Sequence, residues 1–303
     1  MSQDVSAIKI TDVYKSFGKN NVLKGIDLDI RQGEIFGFLG PNGAGKTTTI
    51  RVILDIFRAD KGFVEIFGIS NQKIKKSHSL FGYLSSDMVL DNDLTGKHYL
   101  EYVNSRYGGK YMANAEVLAN ILKVNLNRKI GKLSSGNRQK IGLISALMHN
   151  PKLLILDEPT QGFDPLIQQT FVKLILQFRK KGGTVFMSSH ILAEVQELCD
   201  RVGFIKDGSI VGLKSVSELR SSARKKIIIS SDSETLEKIK FQHKSLPGLH
   251  YISESQNSMS FGYSGDINKL LEYLSSKKIK DLNILEPELD EIFLDLYKSG
   301  GKI

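Results

Sequence analysis

A single cysteine, Cys199, stands in 303 residues. No disulfide can close within the chain, which fits a reducing compartment. Free cysteine usually serves as a small packing residue, and that role is expected of Cys199. No apolar run comes near the ~18–20 residues that cross a bilayer. The first residues show no basic segment followed by an apolar one, so no secretory leader is expected. The six histidines have no paired metal-ligand spacing. No block of Lys and Arg interleaved with aromatics occurs, so no nucleic acid is expected as a partner.

What is present is ordinary in bulk. Apolar residues make up 41% and charged residues 25%, near the average of a globular protein. The length suits one large domain or two ordinary ones. The net charge of +9 is uneven: residues 221–303 hold 12 Lys and Arg against 12 Asp and Glu, so the excess lies in residues 1–220. Such a surface could face anionic lipid, nucleic acid or an acidic partner. The favoured reading is a solvated surface plus the lysines of a nucleotide site.

Residues 7–14 and 22–30 alternate apolar and polar, as antiparallel strands with one buried face do. Residues 34–39 form a nearly continuous apolar run, the mark of a buried parallel strand. A glycine-rich turn and a helix over 46–57 follow, then helical spacing over 95–125. A second buried strand covers 153–156. After it come a helix at 166–181, a strand at 184–189, a helix at 191–199 and strands at 202–206 and 209–212. Strands alternating with helices predict a parallel sheet covered on both sides. A boundary falls at residues 221–226, giving domains 1–220 and 221–303. The second reads strand 226–230, helix 233–240, strands 248–254 and 258–263, helix 266–276, strand 281–285 and helix 287–298. The first six of these elements suggest a small split-βαβ domain.

The chemistry begins at Gly40-Pro41-Asn42-Gly43-Ala44-Gly45-Lys46-Thr47-Thr48. Gly, four residues, then Gly-Lys-Thr is the P-loop pattern, and it lies between a strand and a helix as required. The glycines permit unusual φ angles and let backbone N–H groups wrap phosphates at a helix N-terminus. Lys46 is expected on the β- and γ-phosphates, and the Thr47 hydroxyl on Mg²⁺. The strand 153–156 delivers Asp157 and Glu158 at its C-terminal end, where α/β sheets place ligands. Asp157 is expected to hold Mg²⁺ and Glu158 to polarise the attacking water. A lone Asp-Glu pair is ordinarily a solvated turn; the apolar strand before it and the P-loop upstream argue otherwise.

With these motifs in hand, residues 7–215 resemble the nucleotide-binding subunit of ABC transporters. The family's signature stretch resembles Leu133-Ser134-Ser135-Gly136-Asn137-Arg138-Gln139. In that family it caps ATP bound to the opposite subunit, with the Ser134 hydroxyl and Gly136 N–H facing the γ-phosphate. His190 matches the switch histidine that contacts the γ-phosphate. Asp164 matches a loop that crosses the dimer interface, and Phe17 the aromatic that stacks on adenine. The resemblance implies an α/β P-loop (RecA-like) core with an antiparallel β subdomain and a helical subdomain at about 88–150. A small C-terminal α+β domain follows.

Three positions depart from the family pattern. Ser135 stands where glycine is usual, and a hydroxymethyl group is expected to be tolerated there. The family's Ser-Gly-Leu-Asp reads Gln161-Gly162-Phe163-Asp164 and keeps the aspartate. The family's Gln or Glu after the strand following the P-loop falls at Ser86. That side chain ordinarily touches Mg²⁺ and the water, and serine is expected to be too short, leaving the role to a water or to Asp87.

The resemblance thus implies an ATP-hydrolysing subunit that works as a homodimer at the cytoplasmic side of the cell membrane. It would drive a transmembrane permease subunit encoded as a separate chain. Residues 286–296 resemble the end of ATPases serving exporters, and the same helix would equally close its own domain. The rival is a soluble ABC ATPase of the translation or repair kind. Against it stand the single P-loop and the short span from Lys46 to Ser134, with no room for a coiled coil. A non-ABC P-loop enzyme such as a kinase is disfavoured by the signature stretch.

Overall fold

The computed structural model describes residues 6–76, 78–222, 225–255 and 257–285. The chain divides into two compact units, Met1–Val216 and Ser217–Ile303. In the first, β1 (Ser6–Phe17) and β2 (Asn20–Arg31) pair antiparallel. Their alternation buries Ile8, Ile10, Leu28 and Ile30. β3 (Ile35–Leu39) is buried at every position. It leads through the glycine-rich turn into α1 (Lys46–Ile53). This helix is shorter than the apolar spacing predicts. Asp55 turns left-handed at φ 54, and the N–H groups of Ile56 and Phe57 both return to the Arg51 carbonyl, which closes the helix end.

β4 (Lys61–Ile66) and the two-residue β5 (Ile69–Ser70) complete a four-stranded sheet of order β2-β1-β4-β5. The sequence reading assigned no strand there. β6 (Phe81–Leu84) follows. The expected 95–125 segment is two helices, α2 (Gly96–Arg106) and α3 (Met112–Ile121). Between them Gly108 and Gly109 both take positive φ, which ends one helix and redirects the chain. α4 (Ser135–Leu147) completes the helical part.

β7 (Leu153–Asp157), α5 (Pro165–Lys180), β8 (Thr184–Ser189), α6 (Leu192–Leu198), β9 (Arg201–Lys206) and β10 (Ser209–Ser215) then build the main sheet. Its order is β10-β9-β3-β8-β7-β6. Every neighbouring pair is parallel except β10 with β9. β3, β7 and β8 are buried at every position, which is why they read as unbroken apolar runs. Ile50 and Ile53 of α1 join one core with Ile8, Ile26, Phe36, Phe38 and Phe186, so the P-loop helix is packed between the two sheets.

α7 (Val216–Ser222) spans the division. The second unit runs β11 (Lys225–Ser230), α8 (Ser233–Gln242), β12 (Leu249–Ser255), β13 (Ser258–Tyr263), α9 (Ile267–Ser275) and β14 (Asp281–Leu285). Its sheet is antiparallel in the order β12-β13-β11-β14, the split-βαβ arrangement. Asp232 and Asp266 cap the two helices through Thr235 N–H and Asn268 N–H, both at 2.9 Å. Ile227, Ile229, Phe261, Leu236 and Leu270 form its core. The expected helix 287–298, and with it the 286–296 tail, lies outside the described residues. Among the described residues no helix is long and apolar enough to cross a membrane.

Candidate functional site

The P-loop leaves β3 with its backbone forced close to β9. A Cβ on Gly40 would sit 2.5 Å from the Ile205 carbonyl oxygen, so only glycine fits. Gly43 and Gly45 take φ of 81° and 110°, and Gly45 caps α1. Ala44 is buried; its N–H donates to the Pro41 carbonyl at 3.2 Å, and its own carbonyl accepts from Gly208 N–H at 3.0 Å. Lys46 is 5% exposed. Its Nζ donates to the carbonyls of Gly40 at 2.8 Å and Pro41 at 3.2 Å, and lies 3.3 Å from Glu158 Oε1. Asn42, Gly43, Lys46, Thr47, Thr48 and Glu158 are among the residues around a cavity of about 250 Å³. A buried ammonium beside a helix N-terminus is suited to an anion.

Asp157, at the end of β7, is fully buried. Its Oδ2 accepts from Thr47 Oγ at 2.8 Å and from Ser86 Oγ at 3.0 Å; Oδ1 accepts from Ser188 Oγ at 2.5 Å. All three donors are neutral, and no ammonium or guanidinium among the described residues forms an ion pair with it. Neutral hydroxyls offset only part of the cost of burying a carboxylate. One carboxylate and two alcohol oxygens beside a phosphate cradle form a hard donor set, the kind Mg²⁺ takes. The residues therefore fit the cation.

Ser86, at the position of the family's Gln or Glu, hydrogen-bonds Asp157, the residue expected to hold Mg²⁺. Because β6 pairs directly with β7, the chain after Leu84 runs beside Asp157, and the short side chain arrives. Asp87 Oδ1 lies 3.2 Å from Ser86 Oγ, and its Oδ2 lies 2.7 Å from Arg51 Nη2.

Glu158 holds a left-handed backbone, φ 46, rare for a residue with a side chain. Its N–H donates to the Ser188 carbonyl at 3.3 Å and to Ser188 Oγ at 3.1 Å. Its Oε2 lies 3.0 Å from His190 Nδ1. One carboxylate thus bridges Lys46 and His190. Glu194, on α6, braces both segments that carry this bridge. It accepts from Thr160 Oγ, and from Ser189 Oγ at 2.8 Å. Ser189 Oγ in turn accepts the Ile191 N–H at 2.9 Å. Glu158 and His190 also border a second cavity of about 290 Å³, with Gln161, Gly162 and Glu194.

The remaining expected site residues are placed apart from the phosphate cavity. Ser134 is exposed and caps α4 through Asn137 N–H at 3.3 Å. Gly136 is packed on the next loop: a Cβ there would sit 2.3 Å from the Gly162 carbonyl oxygen. Ser135 is exposed, so its side chain meets no steric bar. Asp164 caps α5 through Ile167 N–H at 2.9 Å, ahead of Pro165. None of Ser134, Gly136 and Asp164 borders the phosphate cavity. Phe17, 44% exposed, meets Phe57 edge-on at 5.1 Å and has Lys15 Nζ 5.4 Å from its ring.

Sequence reasoning missed Ser188, Thr160, Ser189, Glu194 and Arg51. Only the pairing of Asp157 with Ser188 across β7 and β8 brings that serine in. Its one sequence signal is that the apolar strand ends in two hydroxyls, Ser188 and Ser189.

Residues 23–161 match the family described as ABC transporter. Over 303 residues the chain is 33% identical to the bacitracin transport ATP-binding protein BcrA of Bacillus licheniformis, covering 97% of this chain and 98% of that one. It is 31% identical to the linearmycin resistance ATP-binding protein LnrL of Bacillus subtilis (strain 168), over 95% of this chain and 97% of that one. A solved ATP-binding subunit of an ABC transporter superposes with a TM-score of 0.65 at 26% identity, over 71% of this chain and 92% of that one.

Proposed function

Because this chain belongs to the ATP-binding proteins of ABC transporters, we propose that it hydrolyses ATP with Mg²⁺ to drive an exporter through a separate transmembrane subunit. The observation that carries the reading is the convergence of Lys46, Thr47, Asp157, Glu158 and His190 on one place, from three separate segments of chain. Lys46 would hold the β- and γ-phosphates, which compete with Glu158 for its ammonium. Thr47 and Asp157 would hold Mg²⁺, which when bound neutralises developing charge on the phosphate oxygens. Glu158 polarises the attacking water as general base. His190 orients that carboxylate through Nδ1, leaving Nε2 for the γ-phosphate.

Ser134 and Gly136 lie away from their own chain's cavity, so a second copy is the natural recipient of their N–H and hydroxyl groups. Two chains, head to tail, would each complete the other's site, with Asp164 at the joint and Phe17 against adenine. Export is supported by two names, one for transport and one for resistance. Work on a membrane partner would place the chain at the cytoplasmic face of the cell membrane.

The test is Glu158→Gln in the full chain. ATP binding is kept, turnover falls about 10²–10⁴-fold, and unhydrolysed ATP traps a dimer on a sizing column. Near-normal turnover removes Glu158 from the role. Fractionation of cells with and without the adjoining membrane gene tests the partner. Equal membrane retention in both points to direct lipid binding, and release in both to a soluble ATPase.

A further inference from the structure

The Ser86 hydroxyl has one proton and two carboxylates to give it to. Asp157 Oδ2 lies 3.0 Å away and Asp87 Oδ1 3.2 Å away. The same Asp157 oxygen takes the Thr47 hydroxyl at 2.8 Å. A divalent cation at Asp157 repels any proton aimed there, so a hydroxyl that stays beside it must point its proton elsewhere and its lone pairs inward. For Ser86 the second acceptor is already in place.

That acceptor is held. Asp87 is largely exposed, yet its other oxygen is 2.7 Å from Arg51 Nη2. Arg51 belongs to α1, the helix that begins at Lys46, and its guanidinium lies 5.6 Å from the Phe57 ring centroid. The clamp ties the segment after β6 to the P-loop helix. It also balances the Asp87 charge, so Asp87 can accept the Ser86 hydrogen bond without drawing the cation to itself.

We propose that Asp87, clamped by Arg51, is a positioning residue for the cation site: it accepts the hydrogen bond of the Ser86 hydroxyl, which stays protonated, so that the Ser86 oxygen can turn a lone pair to the cation held by Thr47 and Asp157. This rests on the reading of the site as one for ATP and a divalent cation. Arg51 and Asp87 touch neither; they act through Ser86.

The probe is Mn²⁺ with the non-hydrolysable analogue AMP-PNP on the full chain, read by electron paramagnetic resonance. Two quantities are measured: the Kd for Mn²⁺ and the number of exchangeable waters on it. Ser86→Ala should raise the Kd roughly tenfold or more, the range seen when groups that support metal sites are removed, and add one water. Asp87→Ala should reproduce both changes. Asp87→Asn, which keeps an acceptor oxygen, should lie between. Asp87→Ala with Ser86→Ala should be no worse than Ser86→Ala alone. A merely structural Arg51–Asp87 pair would lower the melting temperature and leave the water count alone, which overturns the proposal. So does an unchanged Kd and water count in Asp87→Ala while Thr47→Ala weakens Mn²⁺, and in that case the ATP-site reading stands. If the wild-type chain binds no Mn²⁺ with the analogue, both fall.

Discussion

Among the described residues, thirteen polar or charged side chains are buried in the first unit, Lys46, Asp157, Ser188 and Ser189 among them, and in the second only Ser231 is. Ser231 is satisfied at once by the Lys278 carbonyl at 2.5 Å. Burying polar groups costs free energy unless each finds a partner. The first unit carries that cost at the strand ends, where hydroxyls and carboxylates converge. The second spends its interior on Ile227, Phe261 and Leu270 and keeps its caps at the surface. The two units can thus be told apart by what they bury.

The contrast can be broken from either side. The largest effect is expected in the second unit. Phe261→Ala empties a fully buried ring site and should cost about 3–5 kcal/mol in a denaturant melt, with ATP affinity unchanged. A parallel loss of ATP binding would show that the units do not hold their structure separately. Next is Lys46→Ala, which removes a buried cation from the cradle. A hydrogen bond to a charged group is worth about 1.5–3 kcal/mol, on the order of ten- to a hundredfold in nucleotide affinity by calorimetry. Wild-type affinity would remove Lys46 from the phosphate site. Smaller is Gly43→Ala. Nothing lies within 4 Å of the added Cβ, so only the left-handed backbone resists, at about 1–2 kcal/mol. A stability loss well beyond that would mean the turn is packed more tightly than its open surroundings show. The smallest concerns Cys199. Burial pushes its thiol far above the usual range, so a thiol reagent should leave the folded chain unlabelled and react only after denaturation.

How legible all this was depends on distance along the chain. Runs such as Ile35–Leu39 and Leu153–Asp157 declare a covered parallel sheet because no face of them needs water. The elements of the second unit were legible for a different reason: they are short and set apart by Asp232, Gly248 and Asp266, which cap or turn the chain between them. β4 was not, because Gly62 and the exposed Phe63 spoil its pattern. The P-loop is contiguous and could be read off. Ser188 under Asp157, Glu194 between Thr160 and Ser189, and Arg51 on Asp87 are meetings of distant segments, set by strand order. Ser86 shows the limit best. Side-chain length alone says nothing of its contact with Asp157, which the pairing of β6 with β7 brings about.

The strand order also governs when this enzyme can exist during its own synthesis. β3 lies between β8 and β9, and the Gly33 N–H beside it waits for a hydroxyl on Thr184, 151 residues later. A ribosome adding about 5–20 residues per second leaves that gap open for roughly 8–30 seconds. Throughout, the apolar Ile35–Leu39 has no lateral partner, and for most of it Lys46 and Thr47 have neither Asp157 nor Glu158. A nascent chain is therefore expected to expose this apolar strand until β8 emerges. Synonymous codons that slow translation between β3 and β8 should lengthen that exposure and lower the soluble yield without altering a single residue.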